Sequence, residues 1–357
     1  MFYGVSLRPG FPATQHCAGL SSAAAAADTR AMQAGEQRQR DRGRRQMSRA
    51  IGLALAGLLL VGAPSLVTSA AGLSAPDTPG HRVTLTRPGE APVTLYYEEH
   101  GAGPPILLLH GLGESTFTWH DILPALAAGH RVVALDLKGF GRSEKPDDGA
   151  YSADDQARLV ARFILERDLS DLTLVGHSFG GTVALRTALA EGIAGTGRIR
   201  RIVAIGAPAL PRAAARRFDL VMAPLVADTV AAVVPSGPAA RFLLKEAMGG
   251  RAPSEEDVKG YAAPYEAQDA TRAFLATARA IMSEKDAAAV AKRYKAIRQP
   301  VLLVWCRKDP IVPLRAGREL AAALPRARLA VLERCHHLPQ HERPKELLRT
   351  LAPFLGK

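Results

Sequence analysis

The chain has 357 residues, a formal net charge of +12 and 47% hydrophobic residues. That is enough apolar material for one large domain with an insertion, or for two domains, and it excludes a largely disordered polypeptide. Basic residues are dispersed apart from short groups at Arg198, Arg200, Arg201 and at Arg212, Arg216, Arg217, without interleaved aromatics, so no nucleic-acid partner is expected.

Residues 1–46 are rich in Ala, Gln and Arg and lack apolar periodicity, which reads as a low-complexity, disordered leader. Residues 47–71 follow with the secretory pattern: basic residues from Arg42, an apolar run from Ala50 to Val61, and the small residues Ser69-Ala70-Ala71 at a cleavage site. Met47 is a candidate start; if translation begins earlier, Arg44-Arg45 stands where a twin-arginine signal would. Two readings stay open: export to the periplasm or medium after cleavage, or an uncleaved membrane anchor over residues 50–71. Gly52, Gly57, Gly62 and Pro64 weigh against the anchor. Membrane contact is expected only through this segment. Residues 72–80 read as a linker.

From His81 the pattern is that of a folded α/β domain. Val83–Thr86 and Val93–Tyr97 alternate around Pro88-Gly89 as an antiparallel hairpin would. Ile106–Leu109 is a fully buried strand ending in His110-Gly111-Leu112-Gly113, and Phe117, Trp119 and Leu123 are expected on one helix facing the core. Arg131–Asp136 is the next strand, followed by the loop Leu137–Ser143, and Tyr151–Arg167 is a helix opened by Ser152. Leu172–Val175 reads as a buried strand and Thr182–Leu189 as a helix, with Gly176-His177-Ser178-Phe179-Gly180-Gly181 at the bend between them. Small residues at 176 and 180 let strand and helix approach so that a serine hydroxyl can stand clear of both. Arg201–Gly206 is another strand, after which residues 209–298 become Ala-rich, helical and Pro-interrupted. The strand Pro300–Cys306 leads to Asp309, a helix spans Leu314–Leu324, and the last strand Arg328–Leu332 leads to Cys335-His336-His337-Leu338-Pro339.

The Gly-x-Ser-x-Gly turn, the His-Gly-x strand end and the Asp-x-x-Gly-x-Gly-x-Ser loop at Asp136 together resemble the α/β-hydrolase family over residues 81–357. The resemblance implies a mostly parallel sheet flanked by helices, with a core of residues 81–208 and 299–357 and a helical cap, 209–298, inserted after the sixth strand. It implies a triad of nucleophile Ser178, acid Asp309 and base His337. His336 replaces the family's usual glycine and competes for the base; the spacing of His337 to Pro339 and Glu342 favours His337. Leu112 and Phe179 would supply oxyanion-hole N–H groups, with His110, Gly111, Gly176 and Gly180 supporting them. His110 and Asp136 are read as structural.

A serine hydroxyl is a weak nucleophile at neutral pH, and an imidazole with an ordinary pKa of about 6.5 can take its proton while a carboxylate fixes the tautomer. The expected activity is carboxylic ester hydrolysis by an exported enzyme without cofactor or metal, acting on a small, fairly apolar ester. Meta-cleavage-type C–C hydrolysis, thioesterase, lactonase or cofactor-free haloperoxidase chemistry on the same triad are the alternatives, and a non-catalytic ligand-binding role is the alternative from another class. Phe218, Leu220, Val221, Met222, Leu225, Val226, Phe242 and Leu243 would line an apolar pocket or form the cap's own core. His337 and His341 stand four apart, but no zinc-hydrolase motif accompanies them and a metal pair is not expected. Cys306 and Cys335 flank the acid and base as either a disulfide or two buried thiols.

Overall fold

The computed structural model describes residues 80–86, 89, 91–211, 213–214 and 236–356. The leader, the signal or anchor segment, nearly all of the linker and the apolar positions 218–226 lie outside the described residues. Among those described, no helix is long and apolar enough to cross a membrane.

Eight strands form one sheet: β1 His81–Leu85, β2 Val93–His100, β3 Pro105–Leu109, β4 Arg131–Leu135, β5 Leu172–His177, β6 Ile199–Ile205, β7 Val301–Cys306 and β8 Ala327–Leu332. Their order is β1-β2-β4-β3-β5-β6-β7-β8. The expected hairpin is the antiparallel β1–β2 pair; β2 also runs antiparallel to β4, and every other pairing is parallel. Strands β3 and β7 read as apolar runs because both faces are covered. Leu107, Leu109, Leu174 and Leu303 point into one core layer, and Ile106, Leu108, Val175 and Val304 into the other.

The helices that cover the sheet follow from local signals. Helix α1, Leu123–Ala127, is short, and α2, Ala153–Glu166, opens with Ser152 and Asp155 capping each other's backbone N–H groups. Helix α2 buries Leu159, Val160, Phe163 and Ile164 beside α3, Phe179–Thr187. Four further helices stand between β6 and β7 among the described residues: α4 Ser236–Ala247, α5 Glu255–Ala262, α6 Gln268–Ser283 and α7 Ala287–Tyr294. Helices α8 Leu314–Ala323, α9 Pro339–Glu342 and α10 Pro344–Leu355 complete the described chain.

The helical insertion is tied to the core through one buried arginine. Arg186 on α3 places Nη2 2.7 and 2.8 Å from the Glu284 carboxylate, Nη1 3.3 Å from Asp154 and Nε 3.1 Å from the Tyr294 hydroxyl. Tyr294 in turn donates to the Ala209 carbonyl at 2.9 Å. A guanidinium can be buried at such a point because its fork of donors is matched by several acceptors at once.

Two expectations are corrected and one open alternative is settled. Phe117, Trp119 and Leu123 do not share a helix: Thr116–Trp119 is a single 3-10 turn and α1 begins at Leu123, although Trp119 is fully buried as expected. Phe242 and Leu243 are 56% and 41% exposed, so neither belongs to a core of the insertion among the described residues. Cys306 and Cys335 are not free thiols; their Cα atoms lie 5.3 Å apart and the two form a disulfide across the β7 and β8 ends. Helix α3 also begins at Phe179, three residues before its apolar periodicity becomes visible.

A bond closing 29 residues removes disorder from the unfolded chain. Replacing both cysteines by serine is expected to lower unfolding free energy by about 3 kcal/mol in urea denaturation, and reductant should do the same to the parent protein but not to the double variant.

Candidate active site

The parallel register brings the carboxyl ends of β3, β5, β6, β7 and β8 to one edge, with Leu109 opposite Gly176, His177 opposite Ile205 and Cys306 opposite Leu332. Strand order turns back between β3 and β5, which is where open parallel sheets leave a crevice. The loops bearing His110–Gly113, Ser178, Asp309 and His337 all leave from this edge.

Ser178 sits between β5 and α3 with φ 49° and ψ −119°, one of three non-glycine residues with positive φ among those described. Such a conformation costs on the order of 1–3 kcal/mol and persists only where its surroundings impose it. Here the Ser178 N–H donates to the Ile205 carbonyl at 2.7 Å, and glycines permit the close crossing. A Cβ on Gly176 would lie 2.2 Å from the Gly180 carbonyl oxygen, and one on Gly180 would lie 2.2 Å from that of Leu109. The turn therefore lifts the hydroxyl out of the sheet edge, toward the base.

Ser178 Oγ is 3.0 Å from His337 Nε2, and His337 Nδ1 is 2.8 Å from Asp309 Oδ2. The other oxygen of Asp309 accepts from the Ile311 and Val312 N–H groups at 2.9 and 2.8 Å. A carboxylate so held is an acceptor only, so Nδ1 carries the imidazole proton and Nε2 presents its lone pair to the serine. The order is Ser178–His337–Asp309, with His337 and Asp309 both buried.

His336 is turned elsewhere. Its Nδ1 and its backbone N–H bind the two oxygens of Glu342 at 2.8 and 2.9 Å, and its ring packs against Gly249, where a Cβ would lie 2.3 Å away. Of the two histidines only His337 lies within hydrogen-bond distance of Ser178; Glu342 holds His336 and also accepts from the Leu338 N–H at 3.3 Å.

Among the described residues, the backbone N–H groups of Leu112 and Phe179 have no acceptor. The loop that carries Leu112 is fixed by His110, whose Nε2 accepts from the Leu137 N–H at 3.0 Å and whose Nδ1 donates to the Gly111 carbonyl at 2.8 Å. Burial pushes the His110 imidazole down to about 4, outweighing the pull of its carbonyl partner, so it stays neutral. Asp136 holds the neighbouring loop, accepting from the Thr116 and Arg142 N–H groups at 2.7 Å each, and burial raises its carboxyl to about 7.

Sequence reasoning missed a second buried pair behind the triad. His177 Nδ1 lies 3.0 Å from Glu114 Oε1, and its Nε2 donates to the His337 carbonyl at 2.8 Å. The other Glu114 oxygen accepts from the Gly111 N–H at 2.8 Å. The His337 backbone N–H is bound in turn to the Ala247 carbonyl at 2.9 Å, so His337 is pinned from the sheet on one side and from α4 on the other. Burial pushes Glu114 upward, but the His177 charge, its hydrogen bond and the Gly111 N–H outweigh it and bring the carboxyl down to about 2. Burial likewise opposes protonation of His177, and the Glu114 charge and hydrogen bond overcome it, leaving its pKa raised. The signal in the sequence is slight: Glu114 stands three residues after Gly111, and His177 was visible only as a neighbour of Ser178.

The profile of the alpha/beta hydrolase fold family matches residues 104–344. The chain is an α/β-hydrolase. RutD of Variovorax paradoxus, a provisionally named carbamate hydrolase, is 32% identical over 280 residues, covering 74% of this chain and 96% of RutD. The pimeloyl-[acyl-carrier protein] methyl ester esterase of Aeromonas hydrophila is 27% identical over 270 residues, 72% of this chain and 98% of the esterase. Among solved structures, the meta-cleavage product hydrolase of Pseudomonas fluorescens superposes with a TM-score of 0.62 at 25% identity, covering 76% of this α/β-hydrolase and 97% of its counterpart.

The Glu114–His177 pair generates a stability prediction with a defined pH window. The lowered Glu114 pKa contributes stability that is complete above its ordinary 4.5 and is lost as pH falls toward about 2. The raised His177 pKa contributes stability that is complete below its ordinary 6.5 and is lost as pH rises through the folded value. The pair therefore counts most between about pH 4.5 and 6.5. Glu114→Gln is expected to lower unfolding free energy by about 3 kcal/mol at pH 5.5, measured by urea denaturation, with a smaller loss at pH 9.

Proposed function

We propose that this α/β-hydrolase is an exported serine esterase that cleaves carboxylic esters with an apolar acyl or alcohol part through an acyl-enzyme on Ser178. The observation that carries the reading is the unbroken chain from Ser178 Oγ through His337 to Asp309. His337 Nε2 takes the hydroxyl proton as Oγ attacks the ester carbonyl, and Asp309 stabilises the imidazolium. The tetrahedral oxyanion is received by the Leu112 and Phe179 N–H groups, the latter at the start of α3 where the helix dipole also favours negative charge. Collapse transfers the proton from His337 to the departing alkoxide and leaves the acyl group on Ser178. Water, deprotonated by the same imidazole, then releases the acid.

The helices between β6 and β7 belong, in this reading, to a cap made of residues 209–298. Their Tyr265 and Phe274 rings pack edge to face and lie against Gly113, where a Cβ would meet the Tyr265 hydroxyl at 2.9 Å and a Phe274 ring carbon at 3.0 Å. An aromatic wall one residue from Leu112 suits an apolar substituent on the substrate carbonyl. Export is supported by the secretory pattern of residues 47–71 and by the disulfide, since such bonds persist in oxidising compartments.

The test is steady-state hydrolysis of p-nitrophenyl esters graded from acetate to laurate. Turnover is expected to favour medium or longer acyl chains, and Ser178→Ala should lower kcat by at least ~10³-fold with the fold retained. Absence of ester turnover beside cleavage of a meta-cleavage dienoate would transfer the same triad to C–C hydrolysis.

A further inference from the structure

A cluster of metal-ligating side chains away from the triad joins two separate parts of the chain. His120 and Asp121 follow the 3-10 turn Thr116–Trp119, and His341 lies on α9, four residues beyond His337. His341 Nδ1 is 2.8 Å from Asp121 Oδ2, and His120 Nε2 is 3.4 Å from Asp121 Oδ1. One ligand atom from each of the three residues lies within 4.8 Å of the other two. Ligand atoms around a tetrahedral zinc ion stand about 3.3 Å apart, so these spacings need only a small adjustment to meet on one ion.

The partners of the two imidazoles prepare them as ligands. His120 Nδ1 donates to the Phe117 carbonyl at 3.0 Å, which leaves Nε2 as a bare lone pair facing a carboxylate oxygen. Two acceptors so placed repel unless a proton or a cation lies between them. His341 Nε2 lies 2.6 Å from the Tyr261 hydroxyl, which is 2.7 Å from Thr118 Oγ1, and Thr118 accepts from Gln340 Nε2 at 3.0 Å. His341 Nδ1–H donates to the Asp121 carboxylate and Nε2 accepts from the Tyr261 hydroxyl; a cation taking the place of that Nδ1 proton would leave the ring to donate Nε2–H to Tyr261, and Tyr261 to donate to Thr118. A backbone carbonyl behind one histidine and a hydroxyl relay behind the other are the outer contacts that orient metal-bound imidazoles. The His341 side chain is 5% exposed, whereas those of His120 and Asp121 are 35% and 37% exposed, giving a buried floor and one face open to water.

We propose that His120, Asp121 and His341 form a three-ligand site for a zinc-class divalent cation, with solvent completing the coordination. Two imidazoles and one carboxylate are borderline ligands that suit zinc or cobalt(II) and do not suit calcium or magnesium. The ion is structural here. It would clamp α9, and through Tyr261 the helix α5, onto the turn at His120, and it takes no part in the Ser178 reaction.

The full chain, stripped with chelator and dialysed, is to be titrated with cobalt(II) and followed by its visible absorption, with zinc as competitor. One equivalent of cobalt with tetrahedral-type bands displaced by zinc is expected, with affinity lowered at least tenfold in both His120→Asn and His341→Gln. His130→Asn, at a histidine outside the cluster, should bind as the parent does. His120→Asn alters a partly exposed side chain and keeps the comparison meaningful if the buried His341 variant fails to fold. No cobalt spectrum, or binding that both variants retain, would overturn the site and leave a hydrogen-bonded His–Asp–His ion pair.

Discussion

The backbone of Ser178 is the constraint on which the site depends. A side chain placed at φ 49° can hold its hydroxyl beside His337 only because β5 and α3 cross almost in contact. Two glycines make that crossing possible, one against the carbonyl of the other and the second against the carbonyl at the end of β3. The strain is maintained by the sheet: the Ser178 N–H is held by Ile205, at the end of a strand whose last four residues are all buried. Core packing, turn geometry and the position of a reacting oxygen are here a single physical arrangement.

His337 is held with similar redundancy. His337 is oriented through its ring by Asp309, through its carbonyl by His177 and through its N–H by Ala247, while the disulfide at Cys335 ties its loop to the strand that delivers Asp309. His177 and His110, both buried near the catalytic edge, are driven in opposite directions. His177 has a carboxylate partner and its pKa is raised; His110 has a carbonyl acceptor and a backbone donor, and burial lowers it to about 4. One imidazole is stabilised as a cation and the other as a neutral hinge for the loop carrying Leu112, which shows how strongly a single neighbour decides the charge of a buried group.

Much of this was legible in the sequence because it is local. The apolar runs of β3, β5 and β7 announce strands covered on both faces, and the turn residues after them identify Ser178, Asp309 and His337. The sequence was silent where partners meet only through the register of the sheet. Glu114 reaches His177 because Leu109 and Gly176 are opposite one another, and Asp121 reaches His341 across 220 residues. The choice between His336 and His337 likewise rested on spacing until Glu342 was seen to hold the former. The helix through Phe117 and Leu123 failed for a different reason: apolar spacing fits a 3-10 turn followed by a short helix as well as it fits one continuous helix.

Activation of one particular hydroxyl by His337 and the turn at residue 178 is the core of the proposed reaction. It is tested most directly by reacting the folded protein with a fluorophosphonate, then weighing the intact chain and mapping the adduct by peptide mass spectrometry. A single adduct on Ser178 is expected, formed rapidly and absent from a His337→Ala variant on the same timescale. A folded protein that stays unmodified, or an adduct on another serine with Ser178 untouched, would contradict it.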